Sequence, residues 1–194
     1  MKKKISLFLA FSAAFLITTA QEDARFTIGT KGGFGHSYMM PYKNSGFHGS
    51  WHIGLTTAYQ LSDRWAVGAD ALYSSEGATF RSVNTPVETM MSIELDYMRV
   101  PLRAMYFLAP RTSDFRPKLS VGPTFGVLMA EGTGYKDMDF GVSAALGFNY
   151  ELLESFWLTT DVNYYHGLMD VYAGNAESDR NGNIRLDIGF TFGL

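Results

Sequence analysis

The sequence has 194 residues, a formal net charge of −3 and a pI near 5.8, which suits one domain. The mild acidity and the lack of a basic stripe argue against nucleic acid as a partner. Aromatic residues make up 15% and glycine numbers 20, against 6 prolines, and this mixture favours strands joined by glycine-bearing turns. There is no cysteine, so an exported form cannot depend on disulfides.

The N-terminal stretch "MKKKISLFLAFSAAFLITTAQ" predicts a secretory signal peptide. Lys2–Lys4 provide its positive start, and the apolar run Ile5–Ile17 is too short for a comfortable membrane-spanning helix. Small residues before Gln21 predict cleavage after Ala20. We therefore expect residues 1–20 to be a signal peptide and residues 21–194 to be the folded domain.

From residue 25 onward, apolar and small or polar residues alternate in one run after another, the pattern of strands with one apolar face. Eight such runs, each near the 9 to 11 residues of a membrane-spanning strand, follow in chain order: 25–34, 51–60, 65–74, 97–107, 118–127, 140–150, 156–168 and 186–194.

The connections between these runs alternate in length. Segments 36–47, 75–91 and 168–181 are long and 131–138 is intermediate, whereas 61–64 and 151–155 are tight. Segment 108–117 is an exception, because it is longer than a periplasmic turn needs to be. This alternation is typical of an outer-membrane barrel with long extracellular loops and short periplasmic turns. The last run continues to Leu194, as expected for a strand that pairs with the first strand and closes the barrel. We therefore predict an all-β fold, an eight-stranded antiparallel up-and-down transmembrane β-barrel.

Aromatic residues indicate which face of the barrel contacts lipid. Four strands carry aromatic pairs eight residues apart, which is about 26 Å along a strand. At a strand tilt of about 40° this is roughly 20 Å along the membrane normal, close to the separation of the two interfacial girdles. The predicted girdle residues are Phe26, Phe34, Trp51, Tyr59, Trp65, Tyr73, Phe140 and Phe148. A soluble ligand-carrying barrel, with its apolar face inward, is the alternative.

The opposite face then lines a lumen narrow enough for side chains to fill. Charged residues enclosed there must pair, and a packed plug is expected rather than an open channel. The predicted structural ion-pair residues are Asp70, Arg99, Arg103, Lys118, Asp161, Arg185 and Asp187. A proton or ion path is the functional alternative.

The sequence resembles the small PorT-like outer-membrane β-barrel proteins from about residue 25 to its end. The resemblance rests on the order of four motifs, "YMRVPLRAMYF", "RPKLSVGPTFGVLM", "DFGVSAALGFNYEL" and "TTDVNYYHGLMDVY". It implies a bacterial outer-membrane location and insertion by the barrel-assembly machinery, with Phe190, Phe192 and Leu194 as the terminal signal. Arg99 stands where these proteins commonly have glutamate, and Leu194 replaces their terminal phenylalanine. The resemblance implies no reaction, and only some of these proteins are tied to protein secretion.

The residues offer little for catalysis or metal binding. Ser50 lies near His48 and His52, and His166 lies near Asp170, but no nucleophile elbow appears. "DRNGN", residues 179–183, has oxygen ligands at alternate positions without the glycine and glutamate of a calcium loop, and its Asn-Gly suggests a turn. We predict no enzyme, no metal and no cofactor.

The most unusual loop is "YMMPYKNSGF", where aromatic and methionine side chains stand where solvent is expected. Its candidate partner-binding residues are Tyr38, Met39, Met40, Tyr42 and Phe47. Packing of these residues on one another is the alternative. The predicted function is a structural or interaction role through the extracellular loops, with outer-membrane lipids around the barrel. A narrow passive pore and a lipid-modifying enzyme are the alternatives.

Overall fold

The computed structural model describes residues 25–41, 45–82, 89–129, 134–173 and 179–194, so the predicted signal peptide and Tyr42 lie outside the described residues. Within these ranges the chain forms eight long strands and no helix. The strands are β1 Phe26–Met40, β2 His48–Gln60, β3 Trp65–Ser82, β4 Thr89–Phe107, β5 Phe115–Leu128, β6 Met138–Leu153, β7 Phe156–Asp170 and β8 Arg180–Gly193. The two-residue strand Ser45–Gly46 continues the pairing of β2 with β3.

Every strand is antiparallel to both of its neighbours, and the sheet closes on itself. β1 pairs with β2 and also with β8, in a ladder that runs from Thr27 opposite Gly193 to Met40 opposite Arg180. The backbone N–H of Leu194 donates to the Phe26 carbonyl at 2.8 Å. The eight-stranded up-and-down barrel predicted from the sequence is confirmed, and closure leaves none of these eight strands as an open edge.

Alternation along each strand sorts the side chains between outside and inside. In β8, Ile184, Leu186 and Ile188 are exposed on the outer surface, while Arg185 and Asp187 are buried in the lumen. The same two-residue period holds around the barrel, because successive side chains of a strand point to opposite faces. The apolar face therefore looks outward, the reverse of a soluble carrier.

The two ends of the barrel differ. We call the end with Arg25 and Leu194 the turn end; it has the short connections 61–64, 108–114 and 154–155. Ser155 adopts a positive φ of 62° in the tightest of them and receives a hydrogen bond from the Gly193 N–H. We call the opposite end, with the longer connections, the loop end.

The strands are longer than the sequence predicted. The shortest has 13 residues and the longest has 19, against the 9 to 11 expected. Most of the additional residues lie at the loop end, where the β3–β4 ladder continues to Ser82 opposite Thr89. Shorter extensions, 115–117 and 151–153, lie at the turn end. Much of segments 36–47 and 75–91 is therefore strand, because backbone pairing continues past the apolar belt and the inward side chains there still cover a core.

The prediction of an Asn-Gly turn was wrong. Asn181 and Gly182 lie inside β8, opposite Met39 and Tyr38 of β1. A Cβ on Gly182 would lie 2.5 Å from a ring carbon of Tyr38, so glycine serves here to admit that ring. None of the described residues forms a helix long and apolar enough to cross a membrane.

Candidate functional site

The lumen holds the largest group of buried charged side chains. All seven residues predicted to line it point inward and are buried, with Arg99 only 1% exposed. The structure brings them together with four residues that the sequence interpretation did not select: Lys31, His52, Glu76 and Asp139. Together they form two ion-pair clusters stacked along the barrel axis.

The first cluster, which we call the Lys31 cluster, lies nearer the turn end. Lys31 Nζ is 3.4 Å from Asp70, 3.7 Å from Asp161 and 3.2 Å from Asp187. Arg103 pairs with Asp70, and Lys118 Nζ lies 3.2 Å from Asp161. Three cations thus meet three carboxylates, and neutral Thr56, Asn149 and Thr159 accept further hydrogen bonds from Arg103 and Lys118.

The second cluster, the Arg99 cluster, lies nearer the loop end. Arg99 donates two hydrogen bonds to Glu76, at 2.9 and 2.8 Å, and one to Asp139 at 2.8 Å. Its guanidinium lies between the rings of Tyr97 and Tyr165, 4.3 and 4.5 Å from their centroids. Arg185 adds a second cation 3.4 Å from Glu76, so two cations meet two carboxylates.

One contact joins the clusters, and His52 lies beside it. Arg185 Nε lies 4.0 Å from Asp187 Oδ1, and His52 Nε2 lies 3.4 Å from the same oxygen. Both clusters balance their charges internally, with His52 taken as neutral. Such mutual compensation is what buried charges require, and it makes the middle of the lumen a self-neutralised plug.

Alternation alone could have identified the residues that were missed. Side chains an even number of residues apart share one face of a strand. Lys31 is six residues from Arg25, and Asp139 is two residues from Gly141, so both belong to the inward face. Glu76 has the parity of Asp70, but it lies in a segment interpreted as a loop. Because the strand that contains Glu76 was predicted too short, this residue was not recognised as facing the lumen.

The loop end is closed by an apolar cluster, which we call the loop-end cluster: Met39, Ala78, Leu95, Tyr97 and Val171. Tyr135 and Tyr172, which pack against it, have ring centroids 5.4 Å apart. Burial, reinforced by Tyr135 and Asp179, raises the pKa of the Tyr172 hydroxyl.

The assignment of Tyr38 and Met39 to an exposed partner-binding loop was wrong. Both lie in β1 with buried side chains, because the β1–β8 ladder extends to the loop end and turns them into the barrel mouth. Met40 is half-buried at the end of β1. Of the four candidates that the structure describes, only Phe47 is exposed, at 74%, and it stacks on His36 with ring centroids 4.8 Å apart.

The turn end is different, because the filled lumen expected from the strand number does not extend to it. A cavity of about 560 Å³ opens there, lined by side chains that include Arg103, Arg116, Lys118, Phe107 and Trp157. The cavity is open because the ion pairs of Arg103 and Lys118 hold these long side chains toward the middle of the barrel.

The eight predicted girdle residues all lie on the outer surface, in two rings. Phe26 and Tyr59 pair at the turn end, and Phe34 and Trp51 pair at the loop end. The turn-end ring contains Phe26, Tyr59, Trp65 and Phe148, and the loop-end ring contains Phe34, Trp51, Tyr73 and Phe140. Among the described strands, outward-facing charged side chains lie only toward the loop end: Arg81, Glu94, Asp96, Asp170 and Arg180.

The histidines and serine weighed for catalysis do not assemble into a triad. Ser50 Oγ makes no hydrogen bond with any residue that the structure describes. His166 Nδ1 faces the Tyr164 hydroxyl at 3.2 Å rather than a serine. No group of three or more histidine, aspartate or glutamate side chains in the described part of the chain is arranged to hold a metal ion.

Comparisons with known proteins agree with this architecture. The family model described as "Outer membrane protein beta-barrel domain" matches residues 6–192. The crystal structure of outer membrane protein OprG from Pseudomonas aeruginosa is similar, with a TM-score of 0.56 and 17% identity over 87% of this chain and 95% of that chain. Neisserial surface protein A (NspA) has a TM-score of 0.58 and 12% identity over 87% of this chain and 97% of that one. Among curated proteins no match is found.

Proposed function

Because the chain belongs to the outer membrane protein β-barrel domain family, we propose that it is a non-conducting outer-membrane barrel that presents an interaction surface at its loop end. The observation that carries this proposal is the plug in the lumen, formed by the Lys31 and Arg99 clusters. The proposal includes no reaction. It places the turn end in the periplasm, because short connections are typical of that side.

Three layers in series oppose conduction. An ion entering from the turn end meets the Lys31 cluster, then the Arg99 cluster, then the loop-end cluster of apolar side chains. Separating a buried ion pair leaves an uncompensated charge, which typically costs about 3–5 kcal/mol. Passage through either charged layer would need several such separations.

The surface proposed for interaction consists of the extended β3–β4 hairpin and the exposed Phe47. Met91, on that hairpin, is 71% exposed, and Met90 beside it is 64% exposed. Exposed methionine and aromatic side chains outside the apolar belt are typical of contact surfaces for proteins. An outer-membrane protein partner is therefore part of the proposal.

We also propose that the chain belongs to the PorT-like group of these proteins and has an accessory role in secretion. The order of the PorT-like motifs, and the buried inward position of Pro101 in the first of them, support membership of that group and an accessory role in secretion. Export with cleavage after Ala20 and insertion by the barrel-assembly machinery belong to the same proposal. The composition of the N-terminal stretch supports them.

Planar-bilayer recording tests the closed lumen. The wild-type protein is expected to show no stable conductance steps. A triple variant, Arg99→Ala with Lys31→Ala and Leu95→Ala, should show small steps because each of the three layers loses a buried side chain. An open porin of known conductance serves as the positive control. Stable ohmic conductance by the wild-type protein would overturn the proposal in favour of a narrow pore.

Site-specific photocrosslinking in intact cells tests the interaction surface. A crosslinker at Phe47 or Met91 is expected to capture a defined protein adduct. The matched control is Leu153, which is 70% exposed but lies at the turn end. Equal capture from all three positions, or none from Phe47 and Met91, would contradict an interaction surface at the loop end.

A further inference from the structure

The turn-end cavity has the size of a small-molecule site. Its volume of about 560 Å³ falls within the range of about 300–1,000 Å³ typical of ligand pockets. Cationic side chains dominate its polar lining: Arg25, Arg103, Arg111, Arg116 and Lys118, against the two carboxylates Glu151 and Glu154. Arg103 and Lys118 are already paired in the Lys31 cluster, so the remaining charged lining is three arginines, Arg25, Arg111 and Arg116, against two glutamates. This leaves the cavity with a formal excess of one positive charge.

Arg116 is a buried cation that has no carboxylate partner among the described residues. It is only 5% exposed, yet no carboxylate of the described residues lies within ion-pair distance of it. Its guanidinium donates to Gln60 Oε1 at 3.5 Å and to the Asp63 carbonyl at 3.2 Å, and its Nε is buried without a hydrogen-bond partner. By contrast, Arg103 and Lys118 are both paired with carboxylates of the Lys31 cluster.

The acidic side chains around the cavity form no ion pair with Arg116. Asp63 accepts its hydrogen bond through the backbone carbonyl, and its exposed carboxylate lies beyond ion-pair distance of the guanidinium. Glu151 Oε1 accepts a hydrogen bond from the Ser155 N–H at 3.0 Å, where it stabilises the tight turn between β6 and β7. Glu154 is exposed on that turn. A buried arginine that keeps its charge without an anionic partner is costly, and an anion from solution would remove that cost.

We propose that the turn-end cavity binds a small organic anion, with a phosphate or carboxylate group paired to Arg116. The guanidinium lies over the Phe107 ring, 3.9 Å from its centroid, which holds the planar fork in one orientation. Such a fork suits two oxygens of one phosphate or carboxylate. Met105 and Trp157 in the cavity wall contact the apolar part of the ligand. This inference is independent of the proposed function, since a closed lumen and an open turn-end cavity coexist.

Trp157 provides a reporter for binding. In a variant with Trp51→Phe and Trp65→Phe, it is the one remaining tryptophan of the three in the chain. Titration of this variant in zwitterionic micelles with butyl phosphate is expected to change its fluorescence saturably, with a Kd of about 1 mM or tighter. Butanol, which lacks the charge, should give no saturable change. A response that is linear in butyl phosphate, or equal for butanol, overturns the proposal.

Two variants locate the anion. Arg116→Gln is expected to weaken binding at least about tenfold. The matched control is Arg64→Gln, an exposed arginine at the same end that does not line the cavity; it should bind like the parent. Unchanged affinity in Arg116→Gln, or equal loss in both variants, contradicts a site at Arg116. Heat-dependent mobility in gel electrophoresis reports whether each variant is folded.

A second measurement needs no substitution. Butyl phosphate in excess of its Kd should raise the thermal unfolding midpoint of the wild-type protein, because a ligand that binds only the folded state stabilises it. Butanol at equal concentration should not. Equal midpoints with and without butyl phosphate overturn the proposal even if Arg116→Gln fails to fold.

The anionic group has two possible sources, a soluble metabolite or a lipid headgroup. Titration in nanodiscs of phosphatidylcholine alone, and of phosphatidylcholine with phosphatidylglycerol, distinguishes them. A weaker apparent affinity for butyl phosphate in the second supports competition by lipid headgroups. Equal saturable affinity in both supports a soluble ligand.

Discussion

Arg99 shows how a single residue holds the middle of this barrel together. Its guanidinium pairs with both Glu76 and Asp139 and lies between the rings of Tyr97 and Tyr165. Three other strands are therefore joined through this one side chain. A cation can be buried in this position only because ion pairs and hydrogen bonds with its partners replace the hydration that it loses. The same reasoning applies to Lys31, which contacts three carboxylates.

Replacement of Arg99 by alanine is therefore expected to lower the free energy of unfolding by about 3–5 kcal/mol. Asp139 loses its cation, and Glu76 keeps only Arg185. Urea unfolding in lipid vesicles, followed by tryptophan fluorescence, measures this change. The exposed Arg64→Ala should change stability by no more than about 0.5 kcal/mol. A loss no larger than that of the control would show that the Arg99 cluster contributes little to stability.

The double variant Arg99→Met with Glu76→Gln separates the charge from the packing. It removes one cation and one carboxylate together, so less uncompensated charge remains than in Arg99→Ala. We expect it to be more stable than Arg99→Ala in the same assay. If it is less stable, packing of the side chain between Tyr97 and Tyr165 outweighs charge compensation.

The elements of this fold are strands with two unlike faces, and β2 illustrates the division. Trp51 and Tyr59 lie near its two ends on the outer surface, and Leu55 lies midway between them. The inward side chains His52 and Thr56 are buried in the lumen. A membrane that covers the outer face would contact only uncharged side chains on this strand.

A cation on the middle of this outer face should be costly. Leu55→Arg is expected to lower the free energy of unfolding in lipid vesicles by about 2–4 kcal/mol, the cost of arginine at the middle of a bilayer. Met91→Arg, on the extended hairpin outside the aromatic rings, should change it by no more than about 0.5 kcal/mol. Equal effects of the two substitutions would place the membrane elsewhere on the barrel.

At the scale of the whole molecule, closure decides which side chains meet. β1 and β8 are the most distant strands in the sequence, yet their ladder is continuous and brings Lys31 to Asp187. Without this seam, two strands would have open edges, and the charges of the lumen would lose the partners that compensate them.

Removal of residues 186–194 should therefore prevent barrel formation, because most of the β8 ladder to β1 and β7 is lost. The expected readout is loss of heat-dependent mobility in gel electrophoresis after refolding into vesicles. A full-length Phe192→Ala variant, which keeps the backbone ladder, should retain it. A truncated chain that still shows the folded mobility would contradict the role assigned to closure.

The sequence by itself determined the architecture and the direction of its faces. A period of two is a local property, so the parity of Asp70, Arg103 and Asp161 placed them in the lumen, and that of Trp51 and Tyr59 placed them outside. The up-and-down connection of neighbouring strands followed from the alternation of long and short connections. The length of the strands did not follow, because pairing beyond the apolar belt leaves only a weak pattern in the sequence.

Only the tertiary structure decided which charges pair, where the lumen is filled and where it is open. Lys31 and Asp187 meet across the closing seam, and Glu76 meets Arg99 across neighbouring strands, through registers that no local pattern specifies. The buried positions of Tyr38 and Arg116 follow from the same cause. The two-residue period of a strand determines that a side chain points inward. The side chains that it meets there depend on the stagger of all eight strands around the barrel.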